Sequence, residues 1–457
     1  MSEAALDSED VKVLDGASSS EWNVYPAYKK SGVSWLGEIP EHWDLKRFKY
    51  AVGLVNEKVE SAEADRPYFG LENIESWTGR RVETEGQPEG VANCFSAGDV
   101  LFGKLRPYLA KVYYAQTNGL CTGEALVLRQ KDLVPRYLFY YLLSKDFINI
   151  VDSSTYGAKM PRASWDYIGN LPALLPCVEE QSTIAAFLDR ETTRIDALIA
   201  KKQRLIELLQ EKRTALISQA VTKGLDPGVP MKDSGVEWLG EIPAHWEVKR
   251  LGWVSESLQT GPFGTQLHAS DYVDDGTPII NPANIINGKL VPDHRWTVAG
   301  EKYHELARHQ LFEGDLIFGR RGEMGRCGLV GKNEEGWLCG TGCLRVRLVK
   351  RSVLPRFMHA FLGFRGVSEY LSLVSVGSTM ENLNTTILGR LPVLLPPLTE
   401  QKSIVDSLTQ HSEKLTALQS TIEAAITRLQ EYRAALISAA VTGKIDVRSF
   451  EEGREVA

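Results

Sequence analysis

The sequence predicts an α+β chain with an internal pseudo-twofold repeat, in which two globular α/β domains are separated by two long helices that pair antiparallel as a coiled coil. Three observations lead there. Ile184, Leu188, Ile195, Leu198, Leu205, Leu209 and Leu216 recur at steps of 4, 7, 3, 7, 4 and 7, the stripe of a long helix that buries one seam against another helix. A matching stripe, Ile404, Leu408, Leu415, Leu418, Leu429 and Leu436, stands 220 residues further on, and the two stretches close alike as EKRTALISQAV and EYRAALISAAV. Finally, residues 31–49 and 234–252 read SGVSWLGEIPEHWDLKRFK and SGVEWLGEIPAHWEVKRLG, identical at 13 of 19 places.

The repeat keeps its ends and changes its middle. The second copy is displaced by 203 residues at that block, by 216 at Gly98-Asp99 against Gly314-Asp315, and by 220 from Leu171-Pro172 against Leu391-Pro392 onward. A shared frame with unlike filling is what two domains need if each reads something different. The expected divisions are a loose tail over 1–21, a globular domain over 22–177, a helical spacer over 178–224, a second globular domain over 225–397, a second spacer over 398–442 and a tail over 443–457. Each spacer of about 44 residues would run roughly 65 Å at about 1.5 Å per residue.

Within each unit the W-L-G-E-I-P-x-H-W block, punctuated by Gly and Pro, predicts a packed turn entering a strand or short helix near Lys46 or Lys249, with Trp35, Trp43, Trp238 and Trp246 as core anchors. Short β-type runs fall at 99–102, 125–128, 315–318 and 344–347. Residues 136–143 and 356–362 each follow a proline and predict a helix. Leu-Pro-x-Leu-Leu-Pro segments then lead into the long helices, whose first turns hold Glu179, Glu180 and Glu400, where carboxylates favour a helix start.

Composition is that of an ordinary globular chain, with 457 residues, 43% hydrophobic and 24% charged. A net charge of −7 argues against a wholly basic nucleic-acid coat, although a local basic groove stays open. The six cysteines form no C-x-x-C pair, which fits a reduced, cytoplasmic setting. Cys327, Cys339, Cys343 and His359 match no tight zinc-ligand spacing. No run of 18 apolar residues and no basic-then-apolar leader occurs, so neither a membrane span nor a signal peptide is expected.

Taken together, the tandem S-G-V-x-W-L-G-E-I-P-x-H-W blocks, the GPFGTQLHASDY run at 261–272, the G-D-x-x-F-G frames that follow Phe95 and Phe312, and L-P-x-L-L-P leading to Glu180-Gln181 and Glu400-Gln401 resemble the specificity subunit of Type I restriction-modification enzymes over roughly residues 22–445. The resemblance implies two target-recognition domains, each reading half of a bipartite site on double-stranded DNA. It implies two antiparallel helices that hold them apart and dock two methyltransferase subunits, with restriction subunits recruited outside. It further implies no catalytic site and no cofactor in this chain, S-adenosylmethionine, ATP and Mg being used by the partners. The first unit departs from the second in having GLENI and FGKLRPY where the second has its G-P-F-G run, as suits unlike half-sites.

The residues themselves agree with that implication. A base N-methyltransferase needs an N/D-P-P-Y/F motif, and Asn281-Pro282-Ala283-Asn284 lacks the aromatic. The E/D-x-K shapes at Asp44 and Glu247 lie inside the repeated turn block, and no G-K-[ST] follows Gly325 to bind nucleotide. Candidates for DNA contact sit on Gly-loosened loops after strands: Lys104, Arg106, Tyr108 and Lys111 in the first unit, and Arg320, Arg321 and Arg326 in the second. A second pair of loops sets Lys159 and Arg162 against Ser378, Thr379, Asn382 and Asn384, and Gln266 with His268 can donate and accept at base edges. For each of these the plain alternative is a solvated surface group, and for Tyr108 a packing role. A coiled-coil adaptor binding only proteins would account for the helices but not for two divergent domains with basic loops.

Overall fold

Both leucine-striped stretches fold as unbroken helices, Val178–Lys223 (the central helix) and Leu398–Val441 (the C-terminal helix). The computed structural model describes residues 22–60, 66–84, 90–157, 159–375 and 383–449, so the tail expected over 1–21 and the end of the chain from 450 lie outside the described residues. The chain divides into two units, Met1–Lys202 with Glu423–Ala457 and Gln203–Ile422. The expected divisions, which set the spacers apart from the globular domains, differ from this for a physical reason. Each unit takes half of each helix into its own core.

In the first unit Ile184, Leu188 and Ile195 from the central helix join Leu429, Leu436 and Val441 from the C-terminal helix in one core with Trp43, Phe48 and Tyr137. In the second, Ala220 and Val221 join Ile404 around Trp246, Phe357 and Leu394. Leu209 is buried too, while Leu198, Leu205, Leu216, Leu408, Leu415 and Leu418 are half-buried, so no seam residue is exposed. The stripe therefore works as its period requires.

The repeated frame is a four-stranded antiparallel sheet. Its strand order is Val52–Val55, Ala125–Gln130, Val100–Gly103, Val112–Tyr114 in the first unit and Ser255–Thr260, Cys343–Leu348, Leu316–Gly319, Cys327–Leu329 in the second. The G-D frame explains itself here. Gly98 and Gly314 turn with φ of 91° and 93°, and the aspartate that follows each is buried beneath a forked arginine. Arg129 holds Asp99, and Arg347 holds Asp315, through Nε at 2.8 Å and Nη2 at 2.7 Å in both units. Between these fixed strands the filling differs. The first unit adds a four-stranded sheet that includes Val91–Phe95, whereas the second adds the three-stranded sheet around Thr277–Ile280 and a hairpin, Ile285–Ile286 with Lys289–Leu290. The helices Pro135–Leu143 and Pro355–Leu362 follow as expected, each succeeded by a second helix, Lys145–Ser153 or Arg365–Ser375.

The H-W pair and the Glu-Gln pair meet in space. Strand Asp44–Arg47 pairs antiparallel with Pro172–Leu175, and Glu247–Arg250 with Pro392–Leu395, which brings each tryptophan to the start of its long helix. Trp43 Nε1 donates to Glu180 Oε1 at 3.1 Å with His42 Nε2 2.9 Å from the other oxygen, and Trp246 with His245 holds Glu400 at 3.1 and 2.8 Å. The Gln181 carbonyl accepts from Val134 N at 2.6 Å while its amide donates to the carbonyls of Asp132 and Pro176. Gln401 repeats this with Leu354 N, Ser352 O and Pro396 O.

Residues 443–449, set apart as tail by the sequence, belong to the first unit. Ile445 and Val447 are buried, Asp446 N donates to Asn23 O at 2.7 Å, and Asn23 Nδ2 donates to Ser449 Oγ. Gly443 makes the turn with φ of 72°, and a Cβ there would come within 2.4 Å of the Pro40 ring. A short segment after a helix carries too few apolar residues to reveal burial by pattern.

Two outcomes follow from these contacts. Glu180→Ala should lower the stability of its unit by about 2 kcal/mol in urea titrations followed by tryptophan fluorescence. Glu400→Ala should cost less, because its side chain is 27% exposed against 3% for Glu180. Removing residues 443–457 uncovers the surface under Ile445 and Val447 and should cost the first unit about 3 kcal/mol or more, read as an earlier urea midpoint.

Candidate nucleic-acid interface

In the first unit the two predicted loops are knitted side by side. Lys104 N donates to Glu124 O and Ala163 N to Lys104 O, both at 2.9 Å, and Arg106 N donates to Pro161 O at 2.8 Å. Leu105 bridges Arg162, which also bridges Tyr156. Arg106 sits in the left-handed region at φ 51°, an uncommon state for arginine, held by that bond to Pro161. The result is one surface carrying Lys104, Arg106, Tyr108, Lys159 and Arg162, with Tyr108 and Tyr156 exposed.

These groups are not equivalent. Arg106 and Lys159 are exposed, Lys104 is half-buried, and none of the three is ion-paired among the described residues. Arg162 is forked onto Glu124, Nε to Oε2 and Nη2 to Oε1 both at 3.1 Å, and this carboxylate raises the guanidinium's pKa. Lys111 turns away, its Nζ donating to Leu71 O at 2.6 Å. It ties the loop rather than projecting from it.

The second unit repeats the frame with other side chains. Gly319 N donates to Arg326 O, Arg320 N to Gly342 O and Leu383 N to Arg320 O, matching the bonds at Gly103 and Lys104. Arg320 lies with its guanidinium 4.9 Å from the Phe263 ring centroid and Nε donating to Leu383 O; burial and then the charge of Arg321 lower its pKa. Arg321 is exposed. Arg326 is held by Pro282 O and Glu323, both at 3.2 Å. Gln266 accepts from Phe263 N at 3.1 Å, so Gln266 and Arg320 gather about one exposed aromatic. His268 is exposed, and its backbone N donates to Asp271 at 2.6 Å.

Asn384 has a different employment. Its Oδ1 accepts from Ile387 N at 2.9 Å and caps the helix Thr385–Arg390, as Ser164 caps Trp165–Ile168 through Tyr167 N. Ser378, Thr379 and Asn382 lie outside the described residues.

Three residues beside this surface escaped the sequence reading. Glu124 stands 38 residues from Arg162, and Phe263 belongs to a run singled out for Gln266 and His268. Trp296, 43% exposed, packs edge-on against Tyr272 at 4.9 Å and lines a hollow of about 620 Å³ with Asn281 and Thr341, one residue from Gly342. No periodicity marks a lone tryptophan between two short strands. Among the described residues no group of three or more His, Cys, Asp or Glu is arranged to hold a metal, and no helix is long and apolar enough to cross a membrane.

Residues 243–428 match the family model of the Type I restriction modification DNA specificity domain. The Type I restriction enzyme MjaVIII specificity subunit of Methanocaldococcus jannaschii is 23% identical over 440 residues, covering 90% of this chain and 95% of that one. The EcoBI specificity subunit of Escherichia coli is 21% identical over 351 residues, 76% and 73% of the two chains. Among solved structures, a chain from a study of complex assembly and conformational transition in the type I R-M system aligns over 88% of this chain and 98% of that one, with a TM-score of 0.67 at 19% identity. The crystal structure of the HsdS subunit from Thermoanaerobacter tengcongensis aligns over 89% and 98%, with a TM-score of 0.52 at 20% identity. At these identities the structures bear on the fold, which they share with this mixed α/β chain. Over its second half by the family model, and over most of its length by the relatives, the chain is similar to the specificity subunits of Type I restriction-modification enzymes.

Proposed function

We propose that each globular unit reads one half of a bipartite target on double-stranded DNA, and that the paired helices fix the half-site spacing and dock two methyltransferase subunits. The chain itself is non-catalytic and cytoplasmic in this reading. Adenine methylation with S-adenosylmethionine, and ATP- and Mg-dependent cleavage by restriction subunits, belong to the partners it directs.

One observation carries the half-site reading. Where the two units keep the same backbone bonds around Gly103-Lys104 and Gly319-Arg320, the polar groups carried on that frame differ: Arg106, Tyr108, Lys159 and the Glu124-paired Arg162 on one, and Arg321, Gln266 and the half-buried Arg320 beside Phe263 on the other. A fixed frame with exchanged donors is suited to distinct base edges, since arginine pairs with guanine and glutamine with adenine in the major groove. The helix pairing is supported by the burial of the seam and by the bonds that cross it, Arg433 to Asp196 and Arg213 to Ser412, in which the partner number falls as the first rises. The net charge of −7 leaves part of the phosphate neutralisation to the partners.

Methylation-aware sequencing of the host genome, with and without this gene, tests the main reading: a two-part motif with a fixed gap should vanish on deletion. Seven residues inserted into each helix, two turns that preserve the seam, add about 10 Å and should lengthen the gap by about three base pairs with both half-sites unchanged. Altered half-sites at an unchanged gap would refute the spacer role. Arg106→Ala and Arg321→Ala should each cost about 1–3 kcal/mol of complex–DNA affinity and relax one half-site only, in competition binding at fixed salt. Lys111→Ala should leave sequence preference intact and lower stability instead.

A further inference from the structure

In each unit the helical halves and the helix after the main sheet enclose an equivalent hollow, and the two are furnished differently. In the first unit it measures about 430 Å³ and the two arginines on its helices are paired with carboxylates. Arg136 pairs with Asp189 and lies 4.8 to 5.2 Å from the ring centroids of Tyr114, Phe139 and Tyr140. The Tyr140 hydroxyl donates to Asp189 at 2.7 Å and sits 3.1 Å from Thr192 Oγ1. Arg433 and Arg80 share Asp196 at 3.0 and 2.6 Å.

Displaced by 220 residues, the second unit keeps the two arginines of the helices and loses what held them. Arg356 and Arg213 stand where Arg136 and Arg433 do, but Thr409 and Thr416 replace both aspartates, and Ala360 stands in place of Tyr140. The hollow widens to about 860 Å³ over an apolar floor that includes Leu216, Ile217 and Leu408. Among the described residues Arg213 donates only to Ser412 Oγ, at 2.9 Å, and Arg356 pairs with no carboxylate. Of the carboxylates at the rim, Glu323 is held by Arg326, leaving Glu413 against the two arginines.

We propose that this second cavity receives a segment of one methyltransferase subunit, an apolar side chain on its floor and a carboxylate between Arg213 and Arg356. The matching hollow of the first unit is about half the size and its Arg136 and Arg433 are already paired with Asp189 and Asp196, so it offers such a segment a weaker seat and the two methyltransferase subunits are held unequally. This rests on the reading of the helices as the methyltransferase dock. The apolar floor decides the class of occupant, because a phosphodiester backbone has nothing to cover it, whereas an acidic peptide with one apolar side chain satisfies floor and rim together. The cavity lies within the size range of sites that enclose a ligand of several side chains.

The test titrates the methyltransferase subunit of the same system against the full-length chain by native mass spectrometry. The variants are Arg213→Glu with Arg356→Glu, and Ala360→Tyr with Thr409→Asp, which rebuilds a packing the first unit already tolerates. Wild type should bind two subunits in steps of unlike affinity, and both double variants should weaken one step at least tenfold while the other is unchanged. Two unaltered steps in both variants would overturn the proposal, as would an effect confined to DNA affinity, which would assign the cavity to phosphate. A wild-type chain that binds no methyltransferase subunit would instead overturn the docking reading beneath it.

Discussion

The hydrogen bonds around Glu180-Gln181 and Glu400-Gln401 are the constraint on which the rest of each unit depends. Within two residues at the start of a long helix, four sequence-distant segments are fixed: the tryptophan turn, the loop before the first main helix, the Leu-Pro strand, and the helix itself. Every polar atom of the glutamine amide has a backbone partner, and the glutamate is divided between an indole and an imidazole. A buried polar group with all its partners is costly to disturb, because any one rearrangement strands the others. That cost explains why these residues recur in both units while the segments between them diverge.

The same logic separates what was legible in the sequence from what was not. Period-3.6 and period-2 patterns report burial along one element, so the seam helices, the main strands and the proline-led helices could be placed from the residues alone. Partnership between elements leaves no such trace. Glu180 reads as a helix-start carboxylate, yet its side chain is committed to Trp43 across 137 residues, and the tail at Ile445 and Val447 closes a core that begins at residue 22. At the candidate interface, glycine and charge singled out loops that the fold brings side by side in the first unit. They could not tell Arg106, which projects, from Lys111, which bonds inward to Leu71, or Asn384 as a base reader from Asn384 as a helix cap.

The distribution of arginine carries the functional argument furthest. Arg129 and Arg347 are forked onto buried aspartates, while Arg136 and Arg433 are paired with carboxylates on the helices. Those positions are where the frame must not move, and an arginine fork gives both charge and direction. The cations left outward-facing and without a carboxylate among the described residues include Arg106, Lys159 and Arg321, borne on loops whose backbones are pinned by the repeated bonds at Gly103 and Gly319. A backbone pinned by hydrogen bonds beneath an exposed side chain is the arrangement that permits a change of side chain without a change of fold. Duplication of one frame thus leaves two units that offer different groups outward, because the residues that hold the frame and the residues that face outward are different residues on the same few strands.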